Sequence, residues 1–220
     1  MFAHGSKGRL TAHDLDRFPA DSLFDRIGRA VCLAGCLPRK ELYEAWEMAR
    51  RIRRRFRGGH IVDLAGGHGL LAQVLLLLDD TSPSALVVDT VLPPSALKLH
   101  DALRAVWPRL AGRVTFVESA LNQVELQPSD LVASSHACGS LTDVVLSRAI
   151  SVHARVAVLP CCQEIPARSI ESFTAWMDAA LTVDVRRAVR LEQSGYRVWT
   201  QTIPATITPK NRLLLAEPVP

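Results

Sequence analysis

No apolar run in this chain is long enough to cross a bilayer. The longest, Leu70 to Leu78, stops at the acidic pair Asp79-Asp80. The opening residues, Met1-Phe2-Ala3-His4-Gly5-Ser6-Lys7, lack the basic-then-apolar order of a secretory leader. A cytoplasmic protein with no membrane partner is therefore expected. Cysteine is scarce and odd in number, five in 220 residues, which argues against a disulfide framework. Aromatic residues make up only 5%, too few for a platform that stacks single-stranded bases. No zinc finger, internal repeat or low-complexity tract appears. What remains is an ordinary globular composition, 48% hydrophobic, with a mildly basic formal charge of +4. That charge is compatible with nucleic acid without requiring it.

The patterning divides at about residue 58. Residues 1–58 read as a helical segment with no strand pattern, and 59–220 as an α/β domain. Asp21 is placed to cap a first helix. After Pro38 the positions Leu42, Ala45, Trp46, Ala49, Ile52 and Phe56 recur on one helical face. Gly58-Gly59 ends that helix. Beyond it, seven short apolar runs predict strands at His60–Leu64, Ala85–Asp89, Val114–Glu118, Leu131–Ser134, Val156–Leu159, Tyr196–Thr202 and Arg212–Glu217. Helices are predicted between them at Leu70–Leu78, Pro94–Val106, Leu141–Ile150 and, with a break, Ala167–Gln193. Nearly all-apolar strands alternating with helices imply a parallel sheet covered on both faces. Only about a dozen residues join the last two runs, so these should pair antiparallel.

Ile61-Val62-Asp63-Leu64-Ala65-Gly66-Gly67-His68-Gly69-Leu70-Leu71 reads as strand, glycine turn and helix start. Such a turn lets a nucleotide-type cofactor approach the backbone, beside the unpaired N–H groups of the helix. Two cofactors compete for it. Gly67-x-Gly69-x-x-Ala72, with Asp89 closing the next strand, satisfies the dinucleotide fingerprint and admits a nicotinamide-linked oxidoreductase. Asp63 favours S-adenosylmethionine instead. A diphosphate is repelled by a carboxylate there, whereas a sulfonium and an ammonium are attracted. On that reading Asp63, Ala65, Gly66, Gly67 and Gly69 cradle the methionine half. Ala65 stands where the methyltransferase pattern Asp-x-Gly-x-Gly-x-Gly has glycine, a mild departure if its φ is negative. Asp89, with Thr90, holds the ribose hydroxyls. Ser119, Ala120 and Leu121, after the third strand, offer backbone groups to the adenine.

A second constellation follows the fourth and fifth strands: Ser134-Ser135-His136-Ala137-Cys138-Gly139-Ser140-Leu141-Thr142-Asp143 and Pro160-Cys161-Cys162-Gln163. Both lie beyond the carboxyl ends of strands, where ligands of open α/β sheets bind. Ser135 and His136 would border the cofactor. His136 has a suitable pKa for a general base, and an amine acceptor would need none. Asp143 would cap the following helix or orient His136. Adjacent Cys161 and Cys162 do not match the usual Cys-x2-Cys metal spacing, so no metal is assigned.

Together, Asp63 with Gly-His-Gly-Leu-Leu-Ala, His-Ala-Cys-Gly-x-Leu-Thr-Asp, Pro-Cys-Cys-Gln and Ile207-Thr208-Pro209-Lys210-Asn211-Arg212 resemble a branch of the class I S-adenosylmethionine-dependent methyltransferases. That branch includes tRNA acceptor-stem 2′-O-ribose methyltransferases and bacterial relatives. The resemblance, over about residues 38 to 217, implies a Rossmann-like α/β sheet, mostly parallel with an antiparallel C-terminal strand, preceded by helices. It also implies methyl transfer to an oxygen or nitrogen, with RNA favoured as acceptor and a small molecule as the alternative. His136, Cys138, Cys162 and Asn211 would line the acceptor site. A nicotinamide oxidoreductase and a cofactor-binding module without activity remain the readings outside the class. Arg50, Arg51, Arg53, Arg54, Arg55 and Arg57 crowd one helix end and form the candidate RNA footprint, guanidinium being suited to phosphate.

Overall fold

The structure, a computed structural model, describes residues 3–135, 137–160, 173 and 176–219. A 3-10 turn, Ala12–Arg17, precedes helices α1 (Leu23–Ala34) and α2 (Arg39–Arg55). Then follow β1 (Ile61–Leu64), α3 (Leu70–Leu78), β2 (Ala85–Asp89), α4 (Ser95–Val106), β3 (Val114–Glu118), β4 (Leu131–Ser134), α5 (Ser140–Val152) and β5 (Arg155–Val158). The chain ends with α6 (Ala179–Gln193), β6 (Tyr196–Thr202) and β7 (Arg212–Pro218). Among the described residues no helix is long and apolar enough to cross a membrane.

The strands form one seven-stranded sheet in the order β3-β2-β1-β4-β5-β7-β6. The first five strands are parallel. The last two pair antiparallel, as their short connection requires, and β7 inserts between β5 and β6. Central β1 and β4 are buried along their whole length, while edge strand β3 is not. Alternation along each strand divides the apolar residues between two cores. Ile61, Val87, Leu131 and Ala157 join α1, α2, α3 and α4 on one face. Val62, Val88, Val132 and Val156 join α5 and α6 on the other. The N-terminal helices thus share a core with the sheet: Ile27, Leu42, Met48 and Ile52 are all fully buried within it.

Local signals set the helix ends. Ser22, and not Asp21, caps α1 by accepting from the Asp25 amide at 3.1 Å. Asp178 caps α6, accepting from the Leu181 amide at 2.8 Å. The predicted helix from residue 167 therefore begins, within the described residues, at Ala179.

The candidate footprint on α2 needs one clear correction. Arg53 is buried, not exposed to a partner. It donates to the Leu75 carbonyl at 3.1 Å, the Phe56 carbonyl at 3.3 Å and the Ser82 hydroxyl at 2.9 Å, and it pairs with Asp79 at 3.2 Å. Burial lowers its pKa to about 10, and Asp79 opposes that fall. The helical period explains the difference. Arg53 follows Ala49 by four residues, on the face that packs on α3, whereas Arg50 and Arg54 point outward.

Candidate functional site

The turn after β1 departs sharply from ordinary backbone. Ala65, Gly67 and Gly69 have φ of 55°, 51° and 70°. Ala65 is thus left-handed, against the negative φ expected of it. A non-glycine residue in that region costs of order 1–2 kcal/mol, and such strain clusters at binding sites. The glycines differ in what surrounds them. A Cβ on Gly66 would lie 2.8 Å from Val87 Cγ1, and one on Gly69 would lie 2.8 Å from the Phe116 ring. A Cβ on Gly67 would meet nothing within 4 Å. The first two glycines let the turn sit on β2 and β3; the third faces open space.

Asp89 fastens the turn. Its carboxylate accepts from the Gly67 amide at 3.0 Å and from the Thr90 amide at 2.8 Å. Thr90, itself exposed, therefore faces Asp89. Ser119 donates its amide to the Asp89 main-chain carbonyl at 2.9 Å, Ala120 follows it, and Leu121 is buried. These three residues flank the Asp89 end of the site without lining its cavity.

That cavity, about 300 Å³, is lined by Ala65, Gly66, Gly67, His68, Leu70, Leu71, Asp89, Ser135 and Leu141. Leu37, Glu41 and Ala45 close it from the first turns of α2 and the residues before them. The structure thus brings Ala65, Gly66, Gly67, Asp89 and Ser135 together. It adds Glu41 and His68, to which the sequence reading assigned no role. His68 Nδ1 lies 2.9 Å from the Ser95 hydroxyl.

Asp63 sits elsewhere than expected. Alternation puts it on the α3 face of β1 with Ile61, fully buried beneath the turn and absent from the cavity wall. Neither oxygen has a hydrogen-bond partner among the described residues. Burial pushes its carboxyl up to about 7; the Ala72 amide opposes the rise and Asp89 adds to it. Its influence on a ligand is a field from below, not a contact. Among the described residues the cavity wall has two acidic side chains, Glu41 and Asp89, and no lysine or arginine. A diphosphate would meet two carboxylates there. A ligand carrying a sulfonium and an ammonium would find complementary charge. The open space at Gly67 fits that ligand as well.

On the acceptor side, Cys138 is exposed just before α5. His136 and Cys162 lie outside the described residues, as does Cys161. Asn211 does not reach the cavity: its side-chain amide donates to the Ile203 carbonyl at 2.9 Å, closing the β6–β7 turn. Asp143 does not cap α5. Its two oxygens accept from Arg187 at 3.0 and 2.8 Å. Arg187 is buried and also donates to the Gly139 carbonyl at 2.9 Å, so it pins the loop after β4 to α6. Despite its burial, Asp143 and Asp184 raise its pKa. Nothing in the sequence pairs Asp143 with a residue so distant.

A Rossmann-like sheet with this strand order, and a cavity at its glycine turn lined by Glu41 and Asp89, fit the class of S-adenosylmethionine-dependent methyltransferases. The family described as Methyltransferase domain matches residues 40–167, more than half of the chain, and the chain belongs to that family. Solved structures share the fold. An O-methyltransferase family protein from Burkholderia thailandensis is 18% identical with a TM-score of 0.52, covering 97% of this chain and 65% of its own. The mitomycin 7-O-methyltransferase MmcR is 16% identical with a TM-score of 0.52, covering 96% and 64%. The pyocyanin biosynthetic protein PhzM is 19% identical with a TM-score of 0.50, covering 96% and 62%. This chain therefore spans less than two thirds of each of these proteins. No curated protein matches it in sequence. The family is that of a methyltransferase domain, and the lining of the cavity fits S-adenosylmethionine. The nicotinamide reading of the turn is set aside.

Proposed function

We propose that the protein methylates an oxygen or nitrogen of an RNA, with tRNA the class favoured by the resemblance of its motifs. The observation that carries this is the course of α2. Its first turn lines the cofactor cavity through Glu41, and its outer face then presents Arg50 and Arg54, both exposed. At 1.5 Å per residue the backbone positions of these arginines lie about 14 and 20 Å along the helix axis from Glu41. A small acceptor cannot span that distance, whereas a polyanion can touch both ends. Arg57 is also exposed. Arg55 lies 5.0 Å above the Trp199 ring, and Glu47 pairs with Arg51 and, at 3.4 Å, with the exposed Arg50.

Bound S-adenosylmethionine supplies an activated methyl carbon, so positioning of the acceptor does much of the work. In this proposal Asp89 and the turn fix the cofactor, and the loop held by Arg187 sets the acceptor rim. His136, next to cavity-lining Ser135 in sequence, is the candidate proton acceptor for a hydroxyl. A small-molecule acceptor is the second reading. It is favoured by a groove of about 460 Å³ between α6 and β6–β7, beside Pro160 at the end of β5.

The test uses labelled S-adenosylmethionine and fractionated cell extract. Label in RNA, with binding that weakens as salt rises and on Arg50→Gln plus Arg54→Gln, supports the proposal. Label confined to small molecules overturns it in favour of the second reading. A protein that binds cofactor yet labels no pool would be a binding module without activity.

A further inference from the structure

Asp63, the acid expected to meet the methionine half, is sealed under the turn, so the cavity needs another partner for a cationic amino-acid end. Glu41 is placed to be one. It enters the wall from the first turn of α2, on the same helical face as Ala45 and beside Leu37, which precedes the helix. Its carboxylate makes no hydrogen bond or ion pair with any described residue. The neighbouring cation, Lys40, is taken by Glu44 at 3.0 Å. Glu44 leaves its second oxygen buried and unpartnered. Glu41 and Glu44 thus share one close cation, Lys40, which is bound to Glu44. Removal from water, together with Glu44, raises the Glu41 pKa, and Lys40 opposes the rise without cancelling it.

Chemistry selects the group that answers it. Asp89, at the β2 end, is spoken for by the turn and suits ribose hydroxyls. The ligand then runs across β1 toward Ser135, at the end of β4. Of what it carries there, the ammonium is the only group that is both cationic and a hydrogen-bond donor. We propose that Glu41 anchors the α-ammonium of the cofactor's methionine half, and that the protein distinguishes S-adenosylmethionine from ligands lacking this group through it. The inference rests on the assignment of this cavity to S-adenosylmethionine.

The test is a titration-calorimetry cycle of two ligands against two proteins. The ligands are S-adenosylhomocysteine and its deamino analogue, which keeps the carboxylate and loses the amine. The proteins are the wild type and Glu41→Gln, which is nearly isosteric and is checked for folding by its melting temperature. A charge-assisted hydrogen bond predicts that Glu41→Gln weakens S-adenosylhomocysteine about tenfold or more. The deamino analogue should bind both proteins within about twofold, and Glu41→Asp should recover part of the lost affinity. Equal losses for the two ligands, or none for either, would overturn the role of Glu41 while leaving the cavity assignment intact. If neither ligand binds the wild type, the cavity assignment itself fails.

Discussion

Replacing Asp63 by Asn offers a direct probe of the buried acid beneath the turn. The wild-type carboxyl is fully enclosed, without a hydrogen-bond partner among the described residues, and titrates at about 7. In the unfolded chain it should titrate near 3.9. The folded state thus holds this proton more tightly. Stability from the group is fully present below about pH 4 and is lost as pH rises through 7. The difference of about three pH units corresponds to about 4 kcal/mol, of which about 2.5 kcal/mol falls between pH 5 and pH 8. Asn cannot ionise, and every other titrating group is common to both proteins. Urea unfolding of the two proteins at pH 5, 6, 7 and 8 should therefore show the wild type losing about 2.5 kcal/mol relative to Asp63→Asn across the range. Parallel curves would refute the reasoning, because they would mean that the carboxylate ionises without cost and is compensated by a partner.

Two further outcomes follow from the packing. Gly67→Ala should cost only the left-handed strain, about 1–2 kcal/mol, while lowering affinity for S-adenosylhomocysteine, since its Cβ projects into open space. Gly69→Ala adds a collision with Phe116 and Val87 and should cost about 3 kcal/mol or more in urea unfolding; the reverse order would contradict this geometry. Arg53→Leu leaves buried Asp79 with only the more distant Arg57 at 3.8 Å and should destabilise the fold by about 3 kcal/mol, whereas exposed Arg54→Gln should leave the midpoint unchanged; equal effects would show that Arg53 is not the buried member of the run.

The strands and most of the helices were legible because their signals are local. Alternation, glycine turns and an acid at a strand end recur at short range, and four of the seven strands match their predicted limits residue for residue. The same alternation places Asp63 with Ile61 on the face of β1 that α3 covers, and its absence from the cavity wall follows from that register. Other features depend on tertiary packing. A run of arginines reads as one charged face until α3 covers the side that holds Arg53. Glu41 gains meaning only when α2 is laid across the turn. The Asp143–Arg187 pair joins residues with no sequence relation. The left-handed Ala65 reflects the shape that the turn must take against β2, which a lone alanine cannot signal.

The central claim is that the cavity at the glycine turn receives S-adenosylmethionine. Calorimetric titration of the wild-type protein with S-adenosylhomocysteine and, separately, NADH tests it most directly. The account predicts saturable one-to-one binding of S-adenosylhomocysteine, weakened by Asp89→Ala, and no binding of NADH. Tight binding of NADH with none for S-adenosylhomocysteine would contradict it.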